Sequence, residues 1–149
     1  MRVIQKGNAV GHIIVGVDGS DHSVHALTWA ATEARLRGVT LRAVTTFSVG
    51  FLSTGYEIAL PDPGDLKAAT QTMLDAALDT VRETGGLDGV DVESVVLEGH
   101  AGERLIALSD GAEMVIVGSR GRGGFVGALM GSVTTYVVNH ASCPVVVVR

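Results

Sequence analysis

Hydrophobic and polar residues divide the chain into two kinds of segment that alternate. Short aliphatic runs predict five strands, at 12–17, 39–47, 90–97, 113–117 and 144–148. Apolar residues at spacings of three and four predict four helices, at about 20–37, 64–84, 101–109 and 132–140. Strands that alternate with helices favour an α/β fold, a parallel sheet with helices on both faces, because parallel neighbours require crossover connections.

Local signals set the ends of several elements. Ser20 or Asp21 is a suitable cap for the first helix, and Gly38 is a suitable end. The run 90–97 partly alternates between apolar and acidic residues, which is typical of an edge strand. The segment 48–63 is long and irregular, so we expect a functional or mobile loop there. Residues 1–10 lack a pattern and are expected to form an N-terminal tail.

Composition and charge narrow the possible partners. The chain has 149 residues, 46% hydrophobic and 18% charged, as expected of one globular domain. Its net charge of −5 argues against binding to nucleic acid or to an anionic membrane. A single cysteine, Cys143, and the absence of a signal peptide or a membrane-spanning run favour a cytoplasmic protein.

A glycine-rich segment between the fourth strand and the last helix carries the clearest chemistry. Gly118, Gly121 and Gly131 are followed by Ser132, which begins a helical pattern. Glycine lets the backbone come close to a ligand, and the first N–H groups of a helix attract anions. Asp18 and Gly118 both follow strands, and ligands of open α/β sheets bind outside the carboxyl ends of strands. The pattern predicts a phosphate site.

With these motifs, the chain closely resembles the universal stress protein family over roughly 11–149, which would form its single domain. The segments that carry the resemblance are 13–20, 117–124, 131–132 and 140–148. The family's nucleotide pattern is glycine, two residues, glycine, nine residues, then glycine and serine or threonine, and it is complete here. The resemblance implies a doubly wound five-stranded parallel sheet of order 3-2-1-4-5, a dimer, and membership of the ATP-binding branch.

The resemblance also assigns roles to individual positions. It implies that Asp18 approaches the adenosine moiety, that the backbone of 44–46 meets the adenine edge, and that Gly118 lies near the ribose. Gly121 and 131–134 would surround the phosphates. The complete expected site consists of Val17, Asp18, Gly19, Thr46, Gly118, Ser119, Arg120, Gly121, Gly131, Ser132, Val133 and Thr134.

The residue types around the glycines argue against fast catalysis. The only lysines are Lys6 and Lys67, so the chain has no P-loop lysine to hold the β- and γ-phosphates. We therefore expect a regulatory ATP-binding protein without catalytic residues or a metal site of its own, in which Mg²⁺ or Mn²⁺ would accompany the phosphates. A slow ATPase and a cAMP-binding member of the same fold remain alternatives.

The last strand indicates a partner. Val145, Val146, Val147 and Val148 are consecutive, so they place apolar side chains on both faces of a strand expected at the sheet edge. An apolar edge promotes aggregation unless it is paired. Pairing with a second copy across a two-fold axis would bury it, and this favours a homodimer.

Overall fold

The structure is a computed structural model, and it describes residues 11–50, 61–122, 127 and 129–149. The predicted tail 1–10, most of the irregular segment 48–63 and part of the glycine loop lie outside the described residues. The elements are β1 (His12–Gly16), α1 (Asp21–Arg37), β2 (Thr40–Phe47), α2 (Pro63–Glu83), β3 (Val92–Glu98), α3 (Ala101–Ser109), β4 (Met114–Gly118), α4 (Ser132–His140) and β5 (Val145–Val148).

The five described strands form one parallel sheet in the order β3-β2-β1-β4-β5. The predicted α/β class, the strand order and the doubly wound arrangement are therefore confirmed. The chain reverses its direction of winding between β1, the central strand, and its neighbour β4. In sheets of this kind the crevice between such strands is the usual place for a ligand.

Helices cover both faces of the sheet, and residues of each central strand alternate between them. Ile13 and Val15 of β1 point to the core beneath α1 and α2, whereas Ile14 points to the core beneath α3 and α4. All three are fully buried. Burying a side chain of this size stabilises the fold by roughly 1.5–3 kcal/mol, so the sheet is held from both sides.

The predicted ends of the helices agree with the structure except at the start of α2. Ser20 caps α1 by accepting from the Ser23 N–H at 3.2 Å, and Gly38 ends that helix in a left-handed conformation. The sequence predicted that α2 begins at Gly64 or Asp65, but it begins at Pro63. The Asp62 carboxylate caps it, and proline suits a first helical position because that position needs no N–H donor.

The two edge strands differ in burial. β3 has several exposed positions, in keeping with its predicted place at an edge. β5 forms the opposite edge, and its four valines are half-buried. Val146 and Val148 pack on the α1 side of the sheet, and Val145 and Val147 pack on the other. None of the helices within the described ranges is long and apolar enough to cross a membrane.

Candidate functional site

A cleft of about 240 Å³ opens at the carboxyl edge of the sheet, where β1, β2 and β4 end. The ends of these strands form its floor, and the described part of the glycine loop and the start of α4 form one wall. The cleft is lined by Gly16, Val17, Asp18, Ser23, Val44, Thr45, Thr46, Met73, Ala101, Leu105, Val117, Gly118, Arg120, Gly121, Arg122, Gly131, Ser132, Val133 and Thr134.

Asp18 follows β1 and is held by the turn that leads into α1. Its Oδ1 accepts hydrogen bonds from the N–H of Ser20 at 2.9 Å and from the Ser20 hydroxyl at 2.5 Å. Its Oδ2 accepts from the N–H of Arg122 at 2.9 Å. Burial on its own would raise the pKa of Asp18, but the hydrogen bonds from Ser20 and Arg122 outweigh it and lower the pKa below its ordinary value. Asp18 is therefore a carboxylate at neutral pH.

Two glycines allow the strand ends to approach their neighbours closely. A Cβ atom at Gly118 would lie 2.9 Å from the backbone carbonyl of His22 in α1. A Cβ atom at Gly121 would lie 2.5 Å from Oδ2 of Asp18. Real Cβ atoms do not make such short contacts, so a Cβ atom at Gly118 would displace the backbone of α1, and one at Gly121 would displace the Asp18 carboxylate or the loop.

Backbone hydrogen bonds connect the two ends of the glycine loop, at Ser119 and Gly131. The N–H of Gly131 donates to the carbonyl of Ser119 at 2.8 Å, and the N–H of Ser119 donates to the carbonyl of Val148 at 2.7 Å. The Thr134 hydroxyl donates to the carbonyl of Gly118 at 2.7 Å. These bonds tie the start of α4 to the ends of β4 and β5.

The first turn of α4 offers unpaired donors to the cleft. Gly131 is its N-cap and supplies no side-chain hydrogen bond, and the first backbone bond along the helix runs from Thr135 N–H to the Gly131 carbonyl. The N–H groups of 132–134 precede that bond, so the helix itself gives them no acceptor. They lie at the positive end of the helix dipole, which attracts an anion.

The end of β2 presents a second pair of backbone groups. The Val44 carbonyl accepts from the Val17 N–H at 2.8 Å, on the side of β2 that faces β1. Thr46 lies two residues further along, so its N–H and C=O also face that side, where pairing with β1 has ended at Gly16. One donor and one acceptor of Thr46 are therefore directed into the cleft.

Apolar side chains complete the wall, and the sequence did not identify them as site residues. Met73 of α2 and Leu105 of α3 line the cleft, together with Ala101 and Gly16. Their spacing along the helices predicted only core positions. They enter the site because α2 and α3 pack against the strands that end at the cleft, which no local pattern shows.

Two arginines bring positive charge to the mouth of the cleft. Arg120 and Arg122 both line it, and both are exposed. Neither forms an ion pair with a described residue, whereas Arg37, Arg42 and Arg82 do. Arginine binds phosphate through a planar set of donors, so this charge suits an anionic ligand.

The structure brings the expected site residues together at one end of the sheet. All of them line the cleft except Gly19 and Ser119. Gly19 has a φ of 81°, and a Cβ atom there would meet the side chains of Arg122 and Met73, which line the cleft. Ser119 is buried, and its backbone supports the loop. Contact of these two residues with a nucleotide stays a prediction.

The sheet and its cleft define the chain as an α/β domain with a glycine-rich site at the point where the winding reverses. The sequence model of the universal stress protein family matches residues 10–149, and the chain belongs to that family. A universal stress protein of Mycobacterium tuberculosis is 34% identical over 150 residues, which are 98% of this chain and 50% of that protein. A second one from that organism is 36% identical over 138 residues, 92% of this chain and 47% of its own length.

The chain thus spans about half the length of the curated relatives it matches. Two solved structures, by contrast, are matched over almost their whole length. A universal stress protein in complex with cAMP has a TM-score of 0.70 and 26% identity, and the match covers 95% of this chain and 98% of that one. A universal stress protein from Archaeoglobus fulgidus in complex with dAMP has a TM-score of 0.69 and 25% identity, with 95% and 99% covered.

Proposed function

We propose that the protein is a regulatory module that binds ATP in the cleft and hydrolyses it slowly or not at all. One observation carries the proposal: backbone groups of β2 beyond its pairing with β1, the first donors of α4 and two arginines without an ion-pair partner among the described residues all face the same cleft. A ligand with a flat polar base at one end and phosphates at the other would satisfy all three. The adenine nucleotides bound to similar structures support this assignment.

The base would bind at the β2 end of the cleft. The N–H and C=O of Thr46 match the acceptor and donor that adenine presents on one edge, and Leu105 provides an apolar surface for a ring. Such sites commonly combine apolar walls with a few polar groups that fix orientation. Val17 and Gly118 would lie beneath the ribose.

The phosphates would bind at the α4 end. The N–H groups of 132–134 and the hydroxyl of Ser132 would donate to their oxygens, and Arg120 and Arg122 would balance their charge. A divalent cation, Mg²⁺ or Mn²⁺, would arrive with the nucleotide. Among the residues that the structure describes, no three His, Cys, Asp or Glu side chains form a metal-binding cluster.

The side chains of the cleft support binding rather than turnover. Asp18 is its only carboxylate among the lining residues, and hydrogen bonds already occupy both of its oxygens. No lysine of the described residues lines the cleft. A carboxylate held in this way is poorly placed to activate water for hydrolysis. We therefore propose that bound nucleotide acts by changing the surface that the protein presents to a partner.

Cyclic AMP is the second candidate ligand. A structure with 26% identity contains it, and a single phosphate would fit the start of α4. The two arginines favour ATP, because a cyclic phosphate carries one negative charge and the triphosphate carries several.

Calorimetric titration of nucleotide-free protein with ATP, AMP and cAMP tests the proposal. We expect ATP to bind most tightly and Gly131→Val to abolish binding, because a branched side chain would enter the space between the loop and α4. A Cβ atom at Gly131 would meet its nearest neighbour at 3.5 Å, so the first carbon of the valine side chain fits, and a cooperative thermal melt shows whether the variant folds. If only cAMP binds, the ligand is a cyclic nucleotide and the assignment of ATP is wrong. If no nucleotide binds, the proposal is refuted.

We further propose a cytoplasmic homodimer joined through β5. The edge position of β5 supports this, as do exposed apolar residues of the helices, Trp29, Tyr136 and Val138. Val146→Asp should produce a monomer or insoluble protein, since it places a charge on the edge. Light scattering that shows an unchanged dimer would contradict this interface.

A further inference from the structure

We propose that Asp18 is a positioning residue: it strengthens phosphate binding by holding the Gly121–Arg122 turn, and it does not act through the base or the ribose. The inference rests on the proposed nucleotide function and refines it. It departs from the role that the resemblance implies for Asp18, which is direct contact with adenosine.

The hydrogen bonds of Asp18 carry the argument. Ser20 donates twice to Oδ1, and Arg122 donates its backbone N–H to Oδ2. Ser20 is also the N-cap of α1, so the carboxylate is anchored to the end of a long helix. One end of this contact is therefore rigid, and the other end is the glycine loop, 104 residues away in the sequence.

The glycine loop is shaped to receive this carboxylate. Any Cβ atom at Gly121 would collide with Oδ2 of Asp18. On its other side, the N–H of Gly121 lies 3.5 Å from the place that a Cβ atom of Gly131 would take. The turn thus lies between Asp18 and the N-cap of α4, and its hydrogen bond to Asp18 sets its distance from the phosphate donors.

The base end of the cleft does not depend on this contact. Thr46 is placed by the β2 ladder, and Leu105 by α3. Removal of the Asp18 carboxylate should therefore release the phosphate wall and leave the base end in place. This separates the affinity for ATP from the affinity for adenosine, which has no phosphate.

The experiment compares both ligands in wild type and Asp18→Ala, with calorimetry for ATP and ligand-observed NMR at millimolar concentration for adenosine. We expect ATP to bind about tenfold more weakly, as for the loss of one charge-assisted hydrogen bond, and adenosine to bind as before. Equal weakening of both ligands would show direct contact and overturn the inference, and so would an unchanged ATP affinity.

Gly121→Ala tests the same contact from the loop side. In the wild-type background its Cβ atom should push the turn away from Asp18 and weaken ATP binding, again without an effect on adenosine. In the Asp18→Ala background the collision is gone, so the second substitution should add little further loss. Additive losses would overturn the inference.

Two controls keep the outcomes separate. A cooperative thermal melt shows whether each variant folds, and if Asp18→Ala does not, Gly121→Ala alone decides between the two roles. If wild-type protein binds neither ATP nor adenosine, the proposed function fails. If wild type binds both and the variants lose both equally, only the positioning role fails.

Discussion

The two ends of the sheet differ in whether their polar groups have partners within the described protein. At the amino end, two pairs of polar side chains satisfy each other: the Arg42 guanidinium pairs with Glu93 at 2.7 Å, and the Thr40 hydroxyl donates to Asp91 at 2.9 Å. At the carboxyl end, Arg120 and Arg122 form no ion pair with a described residue, and the backbone of Thr46 faces open space.

The difference separates groups that complete the fold from groups that await a ligand. Exposed pairs such as Arg42–Glu93 contribute little stability, typically ~0–1 kcal/mol, and they leave no net charge behind. The donors of the cleft have no such partner and accumulate at one place. The protein has a net charge of −5, so the positive charge at the cleft is opposite in sign to that of the whole molecule. A local positive charge of this kind favours an anionic ligand.

The largest effect is expected where the carboxyl end is packed most closely. Gly118→Ala places a Cβ atom 2.9 Å from the His22 backbone, so α1 must move away from β4. Overpacking of this kind costs about 1–3 kcal/mol of unfolding free energy, measured by urea denaturation. Gly50→Ala is the matched control, because no described residue lies within 4 Å of its Cβ position. Equal stability of the two variants would show that this end is loosely packed.

A smaller effect should follow from neutralising the arginines of the cleft. Arg120→Gln with Arg122→Gln removes two positive charges near the phosphates, and we expect ATP affinity to fall about tenfold. AMP affinity should fall less, since AMP carries less charge. Arg42→Gln removes one charge at the amino end and should leave ATP affinity unchanged in the same titration. A comparable loss from Arg42→Gln would mean that net charge, rather than position, governs binding.

The smallest effect concerns protonation at the amino end. Burial and the nearby Arg42 lower the pKa of His12, although Glu93 and Glu113 oppose them. A lowered pKa means that the unfolded chain takes up a proton first as the pH falls. The stability linked to neutral His12 is therefore complete above about pH 6.5 and is lost as the pH falls through the folded-state pKa.

His12→Gln removes this proton-linked contribution. The free energy of unfolding, measured by urea denaturation between about pH 7.5 and pH 5, should vary less with pH in this variant than in wild type. Nucleotide affinity at a fixed pH should stay the same, because His12 lies at the opposite end of the sheet. Identical pH profiles for the two proteins would show that His12 is not perturbed by folding.

The sequence was sufficient for the elements and for most of the cleft. Continuous aliphatic runs indicate strands that are buried on both faces of the sheet. The glycine spacing indicated where the backbone must come close to a neighbouring element or a ligand. It could not identify Met73 or Leu105 as lining residues, because their helical spacing is the same as that of any core residue. It also could not show that Gly19 and Ser119 of the expected nucleotide site lie outside the lining of the cleft, since adjacency in sequence does not show which way a turn faces.

The bond between Asp18 and Arg122 illustrates the remaining limit. A carboxylate after a strand is compatible with capping a helix, with contacting a ligand or with holding a distant loop. The choice depends on a neighbour 104 residues away, and a single sequence contains no signal for that pairing.

The route of the chain through the sheet has a consequence for protein synthesis. One side of the cleft is made from β1 and β2, which leave the ribosome early, while Ser119 is fastened to Val148 in the final strand. A nascent chain in which β5 has not yet emerged from the ribosome lacks this fastening. Under the proposed function, the phosphate wall of the cleft would therefore be completed only after β5 has joined the sheet.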